Sequence, residues 1–185
     1  DVGFINVLLN DLLARFSVDS RRIFVTGFSN GASMAFHAGA VLSKRIAAIA
    51  PVAGASWVES LHLERALPVF YITGTADPLN PLEGGVPRLA TGRSDQVRGQ
   101  PKPPVRDSIR RWAHALGCPA TPRDTVESNG VRNEIYGPGR NGAEVVYTTV
   151  EGMGHTWAGG KSLLSEFMVG KSSDKMHATD AIWAF

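Results

Sequence analysis

Between Arg22 and Ala35 a short apolar run, Ile23-Phe24-Val25-Thr26, feeds directly into Gly27-Phe28-Ser29-Asn30-Gly31, and a stretch of small residues follows. A strand can give way to a helix over so few residues only through a very sharp turn. Gly-x-Ser-x-Gly at such a junction is a nucleophile elbow: the serine is forced into a strained conformation, with its hydroxyl raised above the sheet. The glycines two before and two after the serine are expected to lie against neighbouring backbone, where a Cβ would clash. Ser29 would also stand at a helix N-terminus, which favours developing negative charge. The first constraint is therefore a sheet whose strands run straight into helices.

With 185 residues, the chain has the length of one domain with a sizeable core, and a single domain over 1–185 is expected. Hydrophobic residues at 43% and charged residues at 19% fit a globular rather than a disordered chain. A formal net charge of +2 with scattered basic pairs, such as Arg21-Arg22 and Arg110-Arg111, reads as solvated surface and not as a nucleic-acid patch. No apolar run approaches the ~20 residues of a membrane span. Cys118 is the single cysteine, which excludes an intrachain disulfide and a cysteine-based metal cluster. The opening Asp1-Val2-Gly3-Phe4 carries no signal peptide and no initiator methionine, so the expectation is a chain that starts partway into its fold.

Hydrophobic periodicity predicts a helix over Val2 to Phe16, with Asp1 as its cap. A strand over Ile23 to Thr26 and a helix over Gly31 to Leu42 flank the elbow. Ile46 to Val52 and Val69 to Thr73 are apolar nearly throughout, as parallel strands covered on both faces are. Alternation of such strands with helices argues an α/β fold. Gly74 to Pro104 holds six prolines and five glycines and breaks the rhythm, as a long functional loop does. A helix over Pro104 to Leu116, stopped by Gly117, carries Val105, Ile109, Trp112 and Leu116 on one stripe. Val131 to Tyr136 and Glu144 to Val150 read as strands joined by a turn-rich stretch, and Met176 to Phe185 as a final helix.

A serine hydroxyl is a poor nucleophile at neutral pH; it needs a base, and the base needs a carboxylate. Of the five histidines, His37 and His114 fall within helices, His62 in a connecting segment and His177 beside the last helix. His155 closely follows a strand, and Gly152 and Gly154 free the backbone to aim its imidazole, so it is the expected base. The acid should leave the end of another strand. Asp77, in Gly74-Thr75-Ala76-Asp77-Pro78, meets that requirement, although aspartate before proline is also a common turn residue. Asp95 and Asp107 are alternatives in a loop and on a helix. Val25-Thr26-Gly27-x-x-x-Gly31 begins like a dehydrogenase glycine motif, but Ser33 replaces its third glycine. None of Tyr71, Tyr136 and Tyr147 has a lysine four residues on, as that chemistry needs. No phosphate loop or metal-ligand spacing is present, so neither cofactor nor metal is expected.

These blocks resemble the polyhydroxybutyrate depolymerase and feruloyl esterase group of the α/β-hydrolases. The resemblance is carried by Asp1-Val2-Gly3-Phe4-Ile5 opening a helix, Arg22 to Gly31, Ala48-Ile49-Ala50-Pro51-Val52-Ala53-Gly54, Ile72 to Pro78, Gly154-His155-Thr156-Trp157-Ala158-Gly159-Gly160 and Ala178-Thr179-Asp180-Ala181-Ile182-Trp183. It implies a mostly parallel sheet with helices on both faces, lacking here the N-terminal strands that the group has. It implies a serine esterase of secreted or cell-envelope location, acting on polyhydroxyalkanoate, feruloyl or similar esters, polymeric ones included. The motif match carries over Ser29 as nucleophile, Asp77 as acid and His155 as base; on this chain the Asn30 N–H is the expected oxyanion donor, and Phe28 and Trp157 are expected against the substrate. Departures from the group are the unpaired Cys118, Ala158 in place of proline, and no upstream loop to give a second oxyanion donor. The alternative is a non-catalytic or incomplete hydrolase that assembles with a partner or another copy, including a homo-oligomer through an exposed sheet edge. A peptidase or thioesterase on the same fold stays open as well.

Overall fold

The computed structural model describes the backbone of residues 1–90, 95–97 and 100–185, with the side chains of 89–99 outside the description. In chain order the elements are α1 (Val2–Arg15), β1 (Phe24–Phe28), α2 (Asn30–Val41), β2 (Ala48–Val52), β3 (Val69–Gly74), β4 (Arg88–Ala90) and β5 (Asp95–Val97). Next come α3 (Val105–Leu116), β6 (Asp124–Ser128), β7 (Val131–Tyr136), β8 (Val145–Val150), α4 (Glu166–Val169) and α5 (Ala178–Ala184). Six strands form one sheet in the order β1-β2-β3-β8-β7-β6, and β4-β5 is a separate two-stranded hairpin. The first four are mutually parallel, whereas β7 and β6 return antiparallel. The sheet is thus mostly parallel, as its apolar strands require.

Alternation along β3 divides the core into two layers. Val69 and Tyr71 face Phe36 of α2 and Ile109, Trp112 and Leu116 of α3. Phe70 and Ile72 face the other side, with Met153 and Ala178, Ala181 and Ile182 of α5. Each fully buried side chain of this size stabilises the fold by about 1.5–3 kcal/mol. Trp112 is fully buried and donates its indole N–H to Ser56 Oγ at 3.1 Å, so its polar atom is not stranded. The small residues of α2 allow a close approach: a Cβ on Gly39 would crowd Ile49 and Leu67.

Parallel register lines up the strand ends that matter. Phe28 pairs with Val52, Val52 with Ile72, and Gly74 with Val150. The segments leaving β1, β3 and β8 therefore emerge along one rim.

Several expectations change in detail. Asp1 stands at the start of α1, but its side chain makes no capping bond, and α1 has no buried residue. The last helix begins at Ala178 rather than Met176. β6 was not expected; all five of its residues are exposed and it lies at the sheet edge. The proline- and glycine-rich segment is clipped at its base, where Gly85 and Lys102 exchange backbone hydrogen bonds of 2.9 and 2.8 Å. Residues 91–94 and 98–99 of that segment, and the Asp95 side chain, lie outside the described residues. Among the described residues no helix is long and apolar enough to cross a membrane.

Candidate active site

Ser29 bridges β1 and α2 with φ 59° and ψ −117°. This is left-handed territory that an L-residue enters only when its surroundings enforce it. The enforcement is visible on both sides. The Ser29 N–H is tied to Val52 O at 2.9 Å. A Cβ on Gly27 would collide with the Gly31 carbonyl, and one on Gly54 with the Ser29 carbonyl. The steric role expected of Gly31 is not found: a Cβ there meets nothing within 4 Å. Gly54, just past β2, fills that role because the β2–β3 connection passes directly beneath the elbow.

His155 is brought to the serine by two further close approaches. A Cβ on Gly74 would strike the Met153 carbonyl, and one on Gly154 the Val169 carbonyl. The ends of β3 and of the β8 loop can therefore touch, and His155 N–H anchors to Val169 O at 2.6 Å. The imidazole sits with Nε2 2.8 Å from Ser29 Oγ and Nδ1 2.8 Å from Asp77 Oδ2. His155 and Asp77 are both buried, while Ser29 stays partly open to solvent. Water is kept from the His–Asp bond but not from the hydroxyl.

Asp77 uses its two oxygens differently. Oδ1 accepts the N–H groups of Leu79 and Asn80, both at 2.8 Å, which forms the turn that aspartate before proline favours. Oδ2 is left for His155. The turn reading and the acid reading are compatible, one oxygen each.

The Phe28 ring lies beside the imidazole, centroids 4.9 Å apart, and meets the Trp157 ring edge-on at 6.5 Å. The Trp157 indole N–H donates to Thr179 Oγ1 at 3.1 Å, which fixes this wall to α5. Asn30 opens α2, so its N–H is one of the first-turn donors with no acceptor inside the helix. The other expected candidates lie elsewhere. His62 and His114 line an open groove beside α3, His177 precedes α5, and Asp107 faces Arg110 on α3 at 3.9 Å. Sequence reasoning passed over Gly54, Tyr71 and Asn80. Leu79 and Asn80 stand two and three residues after Asp77 of an Asp-Pro pair, the spacing of an aspartate turn, and that was the available signal for Asn80.

A strained serine after β1, a carboxylate after β3 and a histidine after β8 thus meet at one sheet rim. Residues 4–88 match the phospholipase/carboxylesterase family. The acetyl xylan esterase from Aspergillus awamori superposes with a TM-score of 0.58 at 17% identity, over 84% of this chain and 62% of that one. The chain has the α/β-hydrolase fold and is similar in sequence to esterases. Feruloyl esterase B of Piromyces equi is 28% identical over 166 residues, which is 87% of this α/β-hydrolase chain and 30% of that protein. The bifunctional acetylxylan esterase/xylanase XynS20E of Neocallimastix patriciarum is 21% identical, over 84% of this chain and 21% of its own length. The chain thus spans less than a third of the length of each of these two relatives.

Proposed function

We propose that the chain hydrolyses carboxylic esters through an acyl-enzyme on Ser29. The observation that carries this reading is the continuous pair of 2.8 Å hydrogen bonds from Ser29 Oγ through the His155 imidazole to Asp77. His155 takes the Ser29 proton as the oxygen attacks the ester carbonyl, and the tetrahedral oxyanion accepts the Asn30 N–H. A donor at that position is typically worth about 3 kcal/mol of barrier. The imidazolium then protonates the leaving alcohol. Water, deprotonated by His155 in its turn, cleaves the acyl-enzyme and restores the serine. Asp77 holds the tautomer with Nδ1–H and stabilises the imidazolium.

Phe28 and Trp157 give the substrate an apolar wall, suited to the acyl or aromatic part of an ester. Feruloyl, acetyl and hydroxyalkanoate esters are the proposed substrate class, supported by the relatives' names for the first two and by the motif resemblance for the third. An extracellular or cell-envelope setting goes with such polymeric esters. The test is turnover of p-nitrophenyl butyrate. Ser29→Ala, folded by circular dichroism, should lose about 10⁴-fold or more of kcat. Unchanged turnover in that variant would remove Ser29 from the mechanism.

A second reading, a hydrolase fold that works only when assembled with another chain, is favoured by one observation: among the described strands β1 pairs with β2 alone. A fluorophosphonate probe separates the two readings, because an isolated chain with a competent relay reacts at Ser29 and one awaiting assembly does not.

A further inference from the structure

Behind the Asp77 carboxylate lies a polar cluster that the proposed mechanism leaves unused. Its centre is Asn80, which is 1% exposed. The Asn80 backbone N–H donates to Asp77 Oδ1, and its amide Nδ2 donates to the Tyr71 hydroxyl at 2.7 Å and, at 3.4 Å, to Thr73 Oγ1. The Tyr71 hydroxyl donates onward to the Gly54 carbonyl at 3.0 Å, and Gly54 is the residue pressed against the backbone of Ser29. One asparagine therefore ties the acid loop to the floor of the elbow. Its remaining acceptor, Oδ1, is met by the Lys102 ammonium at 3.4 Å.

Lys102 is an unusual occupant for this position. A lysine ammonium is strongly hydrated and normally reaches for water. Here the residue is partly buried, and its backbone is clamped to Gly85 by two hydrogen bonds. Burial holds its amine below the ordinary lysine value, while the negative charge of Asp77 opposes that shift. Among the described residues, the other titratable groups facing this cluster are Asp77 from the loop after β3, His155 from the loop after β8, the Tyr71 phenol from β3 and the Tyr147 phenol from β8, stacked on Tyr71 at 6.0 Å. Burial pushes the Tyr71 phenol far above its ordinary range, so it stays neutral. Arg106, at the start of α3, is turned to Glu134 instead.

We infer that Lys102 is a positioning residue for the serine relay, its charge, held on Asn80, balancing that of Asp77 and setting the pH at which His155 becomes a neutral base. The inference rests on the reading of Ser29, His155 and Asp77 given above. The sign follows from Coulomb's law. Asp77 favours the imidazolium, and a cation behind Asp77 offsets part of that pull. Without the cation the imidazolium persists to higher pH.

The experiment is the rate of Ser29 labelling by a fluorophosphonate, followed by mass spectrometry as a function of pH, in the parent chain, Lys102→Met and Lys102→Arg. The acid limb of Lys102→Met should move up by about half a pH unit, roughly a threefold slower reaction on that limb. The plateau should stay within a few-fold, and Lys102→Arg should restore the parental limb. A Lys102→Met profile that overlays the parent, or that falls equally at every pH, overturns the inference while leaving the relay intact. A parent chain that never labels removes the relay itself, which is a separate failure that takes the inference with it. Should Lys102→Met not fold, Lys102→Gln carries the same comparison.

Discussion

The backbone strain at Ser29 costs an L-residue about 1–3 kcal/mol, so its neighbours must make every relaxed alternative worse. Gly54 does most of this from below, which gives a sharp contrast between two glycines of the elbow. In Gly54→Ala the new Cβ would run into the Ser29 carbonyl and stand 2.6 Å from the Ala32 Cβ, both parts of rigid structure. Overpacking of this kind costs about 1–3 kcal/mol, or several degrees of Tm in a domain of this length. Gly31→Ala enters open space on the first turn of α2. Calorimetry should therefore show a lowered Tm for Gly54→Ala and an unchanged or slightly raised Tm for Gly31→Ala. Equal losses would mean that the elbow is held by its own pentapeptide rather than by the segment beneath it. The sequence motif names the pentapeptide; the supporting residue, well downstream of Ser29, carries no local mark of its role.

At the scale of elements, α3 is fastened to β7 by Arg106, which forks onto both oxygens of Glu134 at 2.6 and 3.0 Å, with the Tyr136 hydroxyl donating to the same carboxylate. Glu134 is almost fully buried, and the hydrogen bonds from Arg106 lead the causes that hold its carboxyl below the ordinary glutamate value. A depressed folded value means that the contribution is complete above about 4.3, the unfolded value, and drains away as pH falls through the lower folded one. Glu134→Gln should destabilise the chain at pH 7 and lose less Tm than the parent between pH 5 and 3, when thermal unfolding is scanned against pH. Parallel acid limbs in the two proteins would show that the clamp is not linked to this proton. Elements with a strong apolar period were legible in advance. The stripe Val105, Ile109, Trp112 and Leu116 of α3 is buried throughout. β6 was not, because a fully exposed edge strand has no apolar alternation to read. Its one signal was Asn129-Gly130 between β6 and β7, both at positive φ (51° and 69°), the pair that a tight hairpin turn requires.

For the whole molecule, the order serine, acid, histidine could be read from the chain because each follows an apolar strand, and parallel register brings those strand ends to one rim. The cluster around Asn80 and Lys102 could not be read, since it depends on a polar segment folding back through the Gly85–Lys102 bridge. The other global feature is the first edge of the sheet. β1 has β2 on one side and no strand on the other among the described residues, and Phe24 is 61% exposed. Beside it an apolar cleft of about 580 Å³ is lined by Phe24, Val25, Ile49, Trp157, Ile182 and Trp183. Unpaired strand backbone next to exposed apolar side chains is a template for another strand, and a second copy of this chain offers the same edge in the same register to pair antiparallel. Sedimentation velocity over a range of concentrations should then show reversible self-association. Phe24→Lys places a charge on that edge at little expense to the core, since the side chain is mostly exposed already, and should shift the population to monomer without lowering Tm. A parent chain that sediments as monomer at every concentration would show that this edge does not pair with its own kind, and the reading in which activity waits on self-assembly would fall with it.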